Sequence, residues 1–330
     1  MQARPLWGMT MIRAGMLALL GAMLLSQSAF SAELPAADAP HSADISKRNL
    51  TAKDFPRWQE LEPNVYAYEG LHFPDKDGVI VNTVSLIVVT GDGVVVVDGQ
   101  GDVPQTKLMI ENIRKLTDEP IKYVVIASDH IDHVGGNAAF KEAYPNVVFI
   151  GSPASKKRLA KDPNPPTMLV SEQRSLRLGA AQIEILNLGR AHTGGDLVAW
   201  MPQLGVLFLG EIFLRDVFPA MRSAYPAEWL ATLRKSVYLG ATWFIPGHGF
   251  VDDAPTLRRE LDEARQALIY VIDEAKRLHT AGYKCESATN CPAAEHANWG
   301  PYADWALRSS QAPLAIARVY LEIEGKLPET

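Results

Sequence analysis

The stretch Ala127-Ser128-Asp129-His130-Ile131-Asp132-His133-Val134-Gly135-Gly136 decides how the rest of the chain is interpreted. It follows the apolar, β-branched run 121–126, which predicts a buried strand, and it precedes a predicted short helix over 137–144. Two histidines and two aspartates therefore lie at the carboxyl end of a strand, where α/β proteins usually carry their chemistry. This density of imidazole and carboxylate predicts a site for zinc, iron or manganese, and the alternative is an acidic turn with two solvated histidines.

The first 31 residues have the layout of a secretory signal peptide. Arg4 and Arg13 precede the apolar run 14–25, and small residues follow that run up to Ala32. The run is shorter than the roughly 20 residues that span a bilayer. We therefore expect cleavage after Ser31 and a periplasmic or secreted protein without stable membrane insertion, and the alternative is an uncleaved anchor.

Charge and cysteine content restrict the partners and the environment. The net charge is −6, and the chain has no long basic run, so nothing in the sequence predicts a nucleic-acid surface. The only two cysteines are Cys285 and Cys291. In an exported protein two neighbouring cysteines predict a disulfide, with metal thiolates as the alternative.

The chain divides into four predicted parts. The signal peptide (1–31) is followed by a segment rich in Ala, Pro, Asp and Ser (32–57), which predicts a flexible N-terminus. Residues 58–254 alternate predicted strands and helices, which indicates two sheets packed between helical layers. Residues 255–330 predict a helical extension that packs on this domain.

Four of the eight histidines lie in short glycine-containing loops that follow predicted strands: His130, His133, His192 and His248. Glu211 also follows a predicted strand, which covers 206–209. A single loop histidine is often only a solvated side chain. Four at equivalent positions, with a carboxylate at a fifth, predict a shared metal centre at one edge of the sheets.

The order of these motifs resembles the metallo-β-lactamase superfamily. The resemblance lies in His130-x-Asp132-His133, His192-Thr193-Gly194-Gly195-Asp196, Phe208-Leu209-Gly210-Glu211, Pro246-Gly247-His248-Gly249 and the strand end Val96-Val97-Asp98-Gly99. It covers roughly residues 60–250. It implies an α/β fold, a four-layer αββα sandwich with metals between the sheet edges, to which this chain adds a C-terminal helical segment.

The resemblance implies a zinc centre of one or two metals. Carried over residue by residue, the metal ligands are His130, Asp132, His133, His192, Glu211 and His248. The family's first motif is usually His-x-His-x-Asp-His, and Ser128 stands at its first position here. Because a hydroxyl is a poorer zinc ligand than imidazole, we expect one of the two sites to be weakened. Glu211 stands where related hydrolases usually have aspartate, which adds one methylene of reach.

The implied function is an exported hydrolase that uses a metal-bound hydroxide on a thioester, lactam, lactone or similar bond. Asp132 is the expected catalytic residue, which would orient the hydroxide. His72 and Arg222 are expected to contact the small-molecule substrate. Asp98, Asp129 and Asp196 are expected to support the ligands or the local structure.

Two other functions remain open at this point. A mononuclear iron enzyme that uses oxygen would bind its metal through His130, His192 and Glu211. A non-catalytic metal-binding accessory factor is the third candidate. The exported chain, with its helical tail over 317–322, also resembles the zinc hydrolases that accompany periplasmic quinoprotein dehydrogenase systems, which implies a quinoprotein partner.

Overall fold

A computed structural model of the chain describes residues 41–72 and 78–329, so the predicted signal peptide lies outside the described residues. The strands are β1 (Arg57–Glu62), β2 (Val65–Leu71), β3 (Asn82–Val89), β4 (Val94–Val97), β5 (Ile121–Val125), β6 (Val148–Gly151), β7 (Met168–Leu169), β8 (Gln173–Leu178), β9 (Ala181–Leu186), β10 (Val198–Met201), β11 (Val206–Leu214) and β12 (Trp243–His248). The helices are α1 (Val103–Leu116), α2 (Ile131–Val134), α3 (Asn137–Ala143), α4 (Pro153–Arg158), α5 (Pro226–Tyr238), α6 (Ala254–Thr280) and α7 (Arg308–Ile323).

The strands form two halves that meet at one point. Hydrogen bonds connect them in the order β7-β6-β5-β4-β3-β12-β11-β10-β9-β8, with β2 and then β1 branching from β3. Within the described ranges, a single bridge between Thr83 of β3 and His248 of β12 joins the two halves. The sheet can therefore curl at this bridge and turn one face of each half inward.

Strand β4 shows how the layers are stacked. Side chains of a strand alternate between its two faces. Val95 and Val97 belong to the large apolar cluster that also contains residues of β9 and β11 from the other half. Val94 and Val96 belong to a second cluster with residues of α1 and α3. Helices α5 and α6 lie against β11 and β12 of the other half, and α7 packs against these two helices. The layers are helix, sheet, sheet and helix, which confirms the predicted fold class with its C-terminal helices.

Two strands extend further than the sequence predicted, and both extensions include candidate ligands. Strand β11 continues to Leu214 and therefore contains Glu211, which the sequence placed after the strand. Gly210 has φ +53°, and the register with β12 shifts on either side of it, so the chain passes an irregular point without ending the strand. Strand β12 continues to His248.

The N-terminal segment that was predicted to be flexible is packed where the structure describes it. Residues 41–57 contain two short 3-10 helices, and Ala43 and Ile45 are buried. His41 contacts Glu260 at the start of α6, at 2.5 Å. Arg48 binds the carboxylate of Asp252 through both of its terminal nitrogens. The prediction from composition was wrong because His41 and Arg48 have partners 219 and 204 residues further along the chain, which no local pattern reveals.

The C-terminal extension is tied to the domain and to itself. Helix α6 lies against β12, and α7 packs against α6. Cys285 and Cys291 form the predicted disulfide in the connection between the two helices.

No helix among the described residues is long and apolar enough to cross a membrane. The domain boundary at residues 254 and 255 stays a prediction.

Arg215 joins the end of β11 to α6 from a fully buried position, with 1% of its surface exposed. Its guanidinium contacts the carboxylate of Glu260 and the carbonyl of Phe250, and its third nitrogen lies 2.8 Å from Asp252. Its backbone N–H donates to the carbonyl of His248. This ion pair therefore fixes the chain on both sides of the strand end that carries His248.

We predict that Arg215→Met lowers the free energy of unfolding by about 3–5 kcal/mol, because it leaves the buried Glu260 carboxylate without its main partner. The measurement is urea denaturation. Arg259→Met is the matched control, since Arg259 approaches the same carboxylate at 3.4 Å from an exposed position. An exposed pair contributes at most about 1 kcal/mol. Equal losses in the two variants would contradict the role assigned to Arg215.

Candidate metal centre

Six side chains from four parts of the fold converge at the edge where the two halves meet. The short helix α2 follows β5 and carries Asp132 and His133, with His130 directly before it. The remaining three lie in the loop after β9, within β11 and at the end of β12, and they are His192, Glu211 and His248. All six are at least nine-tenths buried. The structure therefore brings together every residue that the sequence proposed as a metal ligand.

The first group contains Asp132, His133, Glu211 and His248. The Nε2 atoms of His133 and His248 lie 3.2 Å apart, and Oδ2 of Asp132 lies 2.9 Å from Nε2 of His248 and 3.5 Å from Nε2 of His133. Oε1 of Glu211 lies 3.4 Å from Nε2 of His248. Four ligands bonded tetrahedrally at zinc distances lie about 3.3–3.6 Å from one another. The separations in this group run from 2.9 Å to the 3.9 Å between Nε2 of His133 and Oε1 of Glu211, so they bracket the spacing of such a ligand set.

The second group contains His130, His192 and Glu211. Nδ1 of His130 lies 3.0 Å from Nε2 of His192 and 2.9 Å from Oε2 of Glu211. Nε2 of His192 lies 3.1 Å from Oε1 of Glu211. Two imidazoles and a carboxylate thus share one point, and Glu211 belongs to both groups.

Ser128 is buried beside Glu211. Its hydroxyl donates to Oε2 of Glu211. Its backbone N–H and that of Ala127 donate to Oδ1 of Asp98. In this chain the hydroxyl at the first motif position therefore orients the shared carboxylate.

Two histidines of the first group are oriented by acceptors behind them. Nδ1 of His133 lies 3.1 Å from Oδ2 of Asp98, and Nδ1 of His248 lies 2.9 Å from the carbonyl of Asn82. A proton held on Nδ1 leaves the Nε2 lone pair directed into the site. Asp98 also holds the turn through the backbone of residues 127 and 128, so it has both roles that the sequence left open. Nothing in the sequence indicated the contact between Asn82 and His248, because Asn82 makes it through its backbone carbonyl, a group that every residue has.

The electrostatics favour a positive charge at this point. Burial alone would lower the pKa of His133 and His248, but Asp132, Glu211 and, for His133, Asp98 raise them to about 9 and about 10. Both rings would then place a proton on Nε2, yet these two atoms face each other at 3.2 Å. A bound divalent cation satisfies the carboxylates and both lone pairs at once. The residues present therefore fit a metal ion.

Two glycines allow the strands to approach closely just before their ligands. A Cβ on Gly247 would lie 2.6 Å from the carbonyl carbon of Gly210 and 2.8 Å from the nitrogen of Glu211. Any larger residue at Gly247 would push β11 and β12 apart where Glu211 and His248 must meet. The close approach of the two strands thus accounts for the glycine that precedes Glu211 and the glycine that precedes His248.

The other predicted aspartates support loops. Oδ1 of Asp129 pairs with Nε of Arg158 at 3.0 Å. Asp196 accepts hydrogen bonds from the backbone and the hydroxyl of Thr193, both at 2.7 Å, and so shapes the turn that presents His192. The sequence missed Trp229, which packs edge-on against His192 at 5.2 Å between ring centroids. Trp229 belongs to α5, and its distance along the chain hides this contact.

A cavity of about 330 Å³ opens over both groups. His72 and Arg222, which the sequence proposed as substrate contacts, both line it, and Nδ1 of His72 lies 3.3 Å from Oδ2 of Asp132. Burial and the neighbouring His248 lower the pKa of His72 to about 4. The loop that follows His72 lies outside the described residues. The apolar walls of the cavity come partly from the C-terminal extension, through Leu307 and Leu314, and no local motif predicts this contribution.

Comparisons with known proteins agree with this geometry. The family model of the metallo-beta-lactamase superfamily matches residues 78–248. The metallo-beta-lactamase type 2 of Bacillus sp. (strain 170) is 27% identical over 211 residues, which cover 62% of this chain and 80% of that protein. The type 2 enzyme of Bacillus cereus is 26% identical over 211 residues, with the same coverage of 62% and 80%.

A solved structure shows the same fold. The metallo-beta-lactamase from Pontibacter korlensis superposes with a TM-score of 0.58 at 21% identity, and the match covers 65% of this chain and 99% of that one. The motif order, the layered fold and the family match therefore agree, and the resemblance seen in the sequence is confirmed. The chain belongs to the metallo-β-lactamase superfamily and is a hydrolase of that fold.

Proposed function

We propose that the chain is an exported zinc-dependent hydrolase that cleaves a thioester, lactam, lactone or similar bond in a small molecule. The observation that carries this proposal is the position of Glu211, whose two carboxylate oxygens face two adjacent groups of ligand atoms. The names of the matched relatives support the inclusion of lactams in the substrate class. The signal-peptide layout of residues 1–31 supports export.

The six residues would hold zinc in one or two sites. When bound, zinc supplies water of lowered pKa and polarises the oxygen of the scissile group. Asp132 would accept a hydrogen bond from the attacking water and hold it toward the substrate carbon. His72, whose Nδ1 lies 3.3 Å from Asp132 and whose lowered pKa keeps it neutral, would carry its one proton on Nδ1 toward Asp132 and accept a hydrogen bond from the substrate through Nε2. The cavity walls would exclude bulk water from this reaction.

We predict that Glu211→Gln lowers hydrolysis by at least about 100-fold and lowers the zinc content per chain. The substitution keeps the size of the side chain but removes the charge that both groups share. The measurements are turnover of a chromogenic lactam and thioester panel and elemental analysis. Glu228→Gln is the control, because Glu228 is an exposed carboxylate paired with Arg190. Full metal content and activity in Glu211→Gln would contradict the assignment.

We predict that Ser128→His raises the metal content per chain, because it adds an imidazole beside the second group. Ser128→Ala is the matched control, since it removes the hydrogen bond to Glu211 without supplying a ligand. Elemental analysis gives the stoichiometry, and thermal unfolding shows whether the larger side chain is accepted at this buried position. A folded Ser128→His protein with no gain over the Ser128→Ala protein would contradict the prediction.

A second candidate function rests on the composition of the second group. His130, His192 and Glu211 are two histidines and one carboxylate at one point, the ligand set of mononuclear iron enzymes that use oxygen. Elemental analysis of protein purified from the exported fraction separates the two candidates. Zinc with hydrolysis supports the first, and iron with substrate-dependent oxygen uptake supports the second. The quinoprotein partner and the non-catalytic role stay predictions of the sequence alone.

A further inference from the structure

The cavity over the metal centre is lined by apolar side chains as well as by candidate ligands. The apolar residues of this lining are Ile131, Leu214, Val217, Ala220, Leu307 and Leu314. Ile131 lies between His130 and Asp132 and has 66% of its surface exposed. Ligand sites combine such apolar side chains with a few polar groups that fix the reacting part of the ligand. The lining therefore suits a molecule that is apolar next to its reacting group.

Part of this apolar lining comes from outside the superfamily core. The family match ends at residue 248, whereas Leu307 directly precedes α7 and Leu314 lies within the first two turns of that helix. Gln311 lines the cavity between them. Residues spaced by four and then three positions lie on one face of a helix. One face at the start of α7 therefore borders the cavity, and two of its three residues are leucines.

Backbone hydrogen bonds fix the position of Leu307 relative to Glu211. The N–H of Ala306 donates to the carbonyl of Asp216 at 3.2 Å, and the N–H of Phe218 donates to the carbonyl of Ala306 at 2.9 Å. Asp216 and Phe218 lie within four residues of the end of β11, the strand that contains Glu211. The segment that carries Leu307 is therefore attached to the continuation of this strand, directly beside the metal centre.

The backbone of Leu307 has a conformation that leucine rarely adopts. Its φ is +64° and its ψ is +6°, in the left-handed region, where a side chain crowds its own backbone. The carbonyl of Leu307 accepts hydrogen bonds from the N–H of Gln311 and from the hydroxyl of Ser310, both at 2.9 Å, which hold the turn. Strained residues of this kind are concentrated at sites that bind ligands. The side chain is only partly buried against the core, and it lines the cavity.

We propose that Leu307 and Leu314 determine which substrates the centre accepts, and that the substrate carries an apolar acyl or side group next to its scissile bond. With the scissile group at the metals, this apolar group packs against the two leucines. Each methylene that becomes buried in this way strengthens binding about fourfold. The proposal rests on the proposed hydrolase function for the scissile bond, and on the lining of the cavity for the apolar group.

The first test measures binding without turnover, with the metal-loaded, full-length mature protein. The ligands are straight-chain hydroxamic acids from acetohydroxamic to hexanohydroxamic acid, whose two oxygens chelate zinc or iron while the alkyl chain enters the cavity. Calorimetry gives the ratio of the affinities for the longest and the shortest ligand. In the unaltered protein the affinity is expected to rise about fourfold for each buried methylene. Weaker metal binding would affect every ligand alike, so the ratio reports the apolar contact.

Two substitutions at Leu307 separate the side chain from the backbone. Glycine and asparagine both accept the left-handed conformation, but neither offers an apolar side chain. Leu307→Gly and Leu307→Asn are both expected to lower the affinity ratio about tenfold, the effect of losing contact with one or two methylenes. A loss in Leu307→Gly that Leu307→Asn does not share would show a backbone effect and would overturn the role of the side chain.

Leu314 has a matched control on the same helix. Leu314→Ala is expected to lower the affinity ratio about fourfold. Leu321→Ala is expected to leave it unchanged, since Leu321 is also half-buried on α7 but does not line the cavity. Equal ratios in Leu307→Gly, Leu314→Ala and the unaltered protein would overturn the proposal. An affinity that does not rise with chain length in the unaltered protein would overturn it as well.

The second test measures selectivity in turnover, with thioesters and lactones that differ only in the length of an alkyl chain next to the scissile carbonyl. In the unaltered protein kcat/KM is expected to rise with chain length, and Leu314→Ala is expected to reduce this rise while Leu321→Ala keeps it. Failure to hydrolyse any thioester, lactam or lactone would overturn the hydrolase proposal. The hydroxamate ratios would still decide whether the two leucines bind an apolar group.

Discussion

The burial of the Glu211 carboxylate is the constraint around which this end of the fold is arranged. A carboxylate with 5% of its surface exposed must be compensated by hydrogen bonds and positive charge. Ser128 supplies a hydroxyl, and His130 and His192 approach its oxygens at 2.9 and 3.1 Å. The residues that neutralise Glu211 are the same residues that can bind metal. The positive charge that compensates Glu211 comes from histidines in the bare site and would come from the cation once a metal ion is bound.

Two features of the surrounding structure hold the strand ends that carry Glu211 and His248 in place. Gly247 approaches the backbone of Gly210 so closely that a Cβ would lie 2.6 Å away. Behind the same strand ends, the buried Arg215 binds Glu260 and the carbonyl of Phe250. The first feature brings the ligand-bearing strands together, and the second prevents the chain after His248 from moving away. The metal groups are thus preorganised by steric fit on one side and by a buried ion pair on the other.

The sequence predicted which six residues meet at this edge because each one lies close to the end of a strongly apolar strand, a local signal. The alternation of Val94 to Val97 between two apolar clusters likewise follows from strand periodicity. Contacts between distant segments could not be predicted this way. The pairing of Arg48 with Asp252 and the packing of Trp229 on His192 depend on tertiary structure. Strand β11 continues through the irregular point at Gly210 and beyond its predicted end, so Glu211 lies in a strand where a loop was expected.

The cavity over the metal centre is lined partly by residues that lie outside the family match. The family match ends at His248, so it contains all six candidate ligands and none of α7. Yet α7 and the turn before it contribute Leu307 and Leu314 to the cavity over the metal centre. The superfamily core therefore contains all the candidate metal ligands, while part of the apolar wall of the cavity over them comes from outside that core. The candidate ligands alone therefore do not identify the substrate, because the cavity that a substrate would enter is also lined by residues of the C-terminal extension.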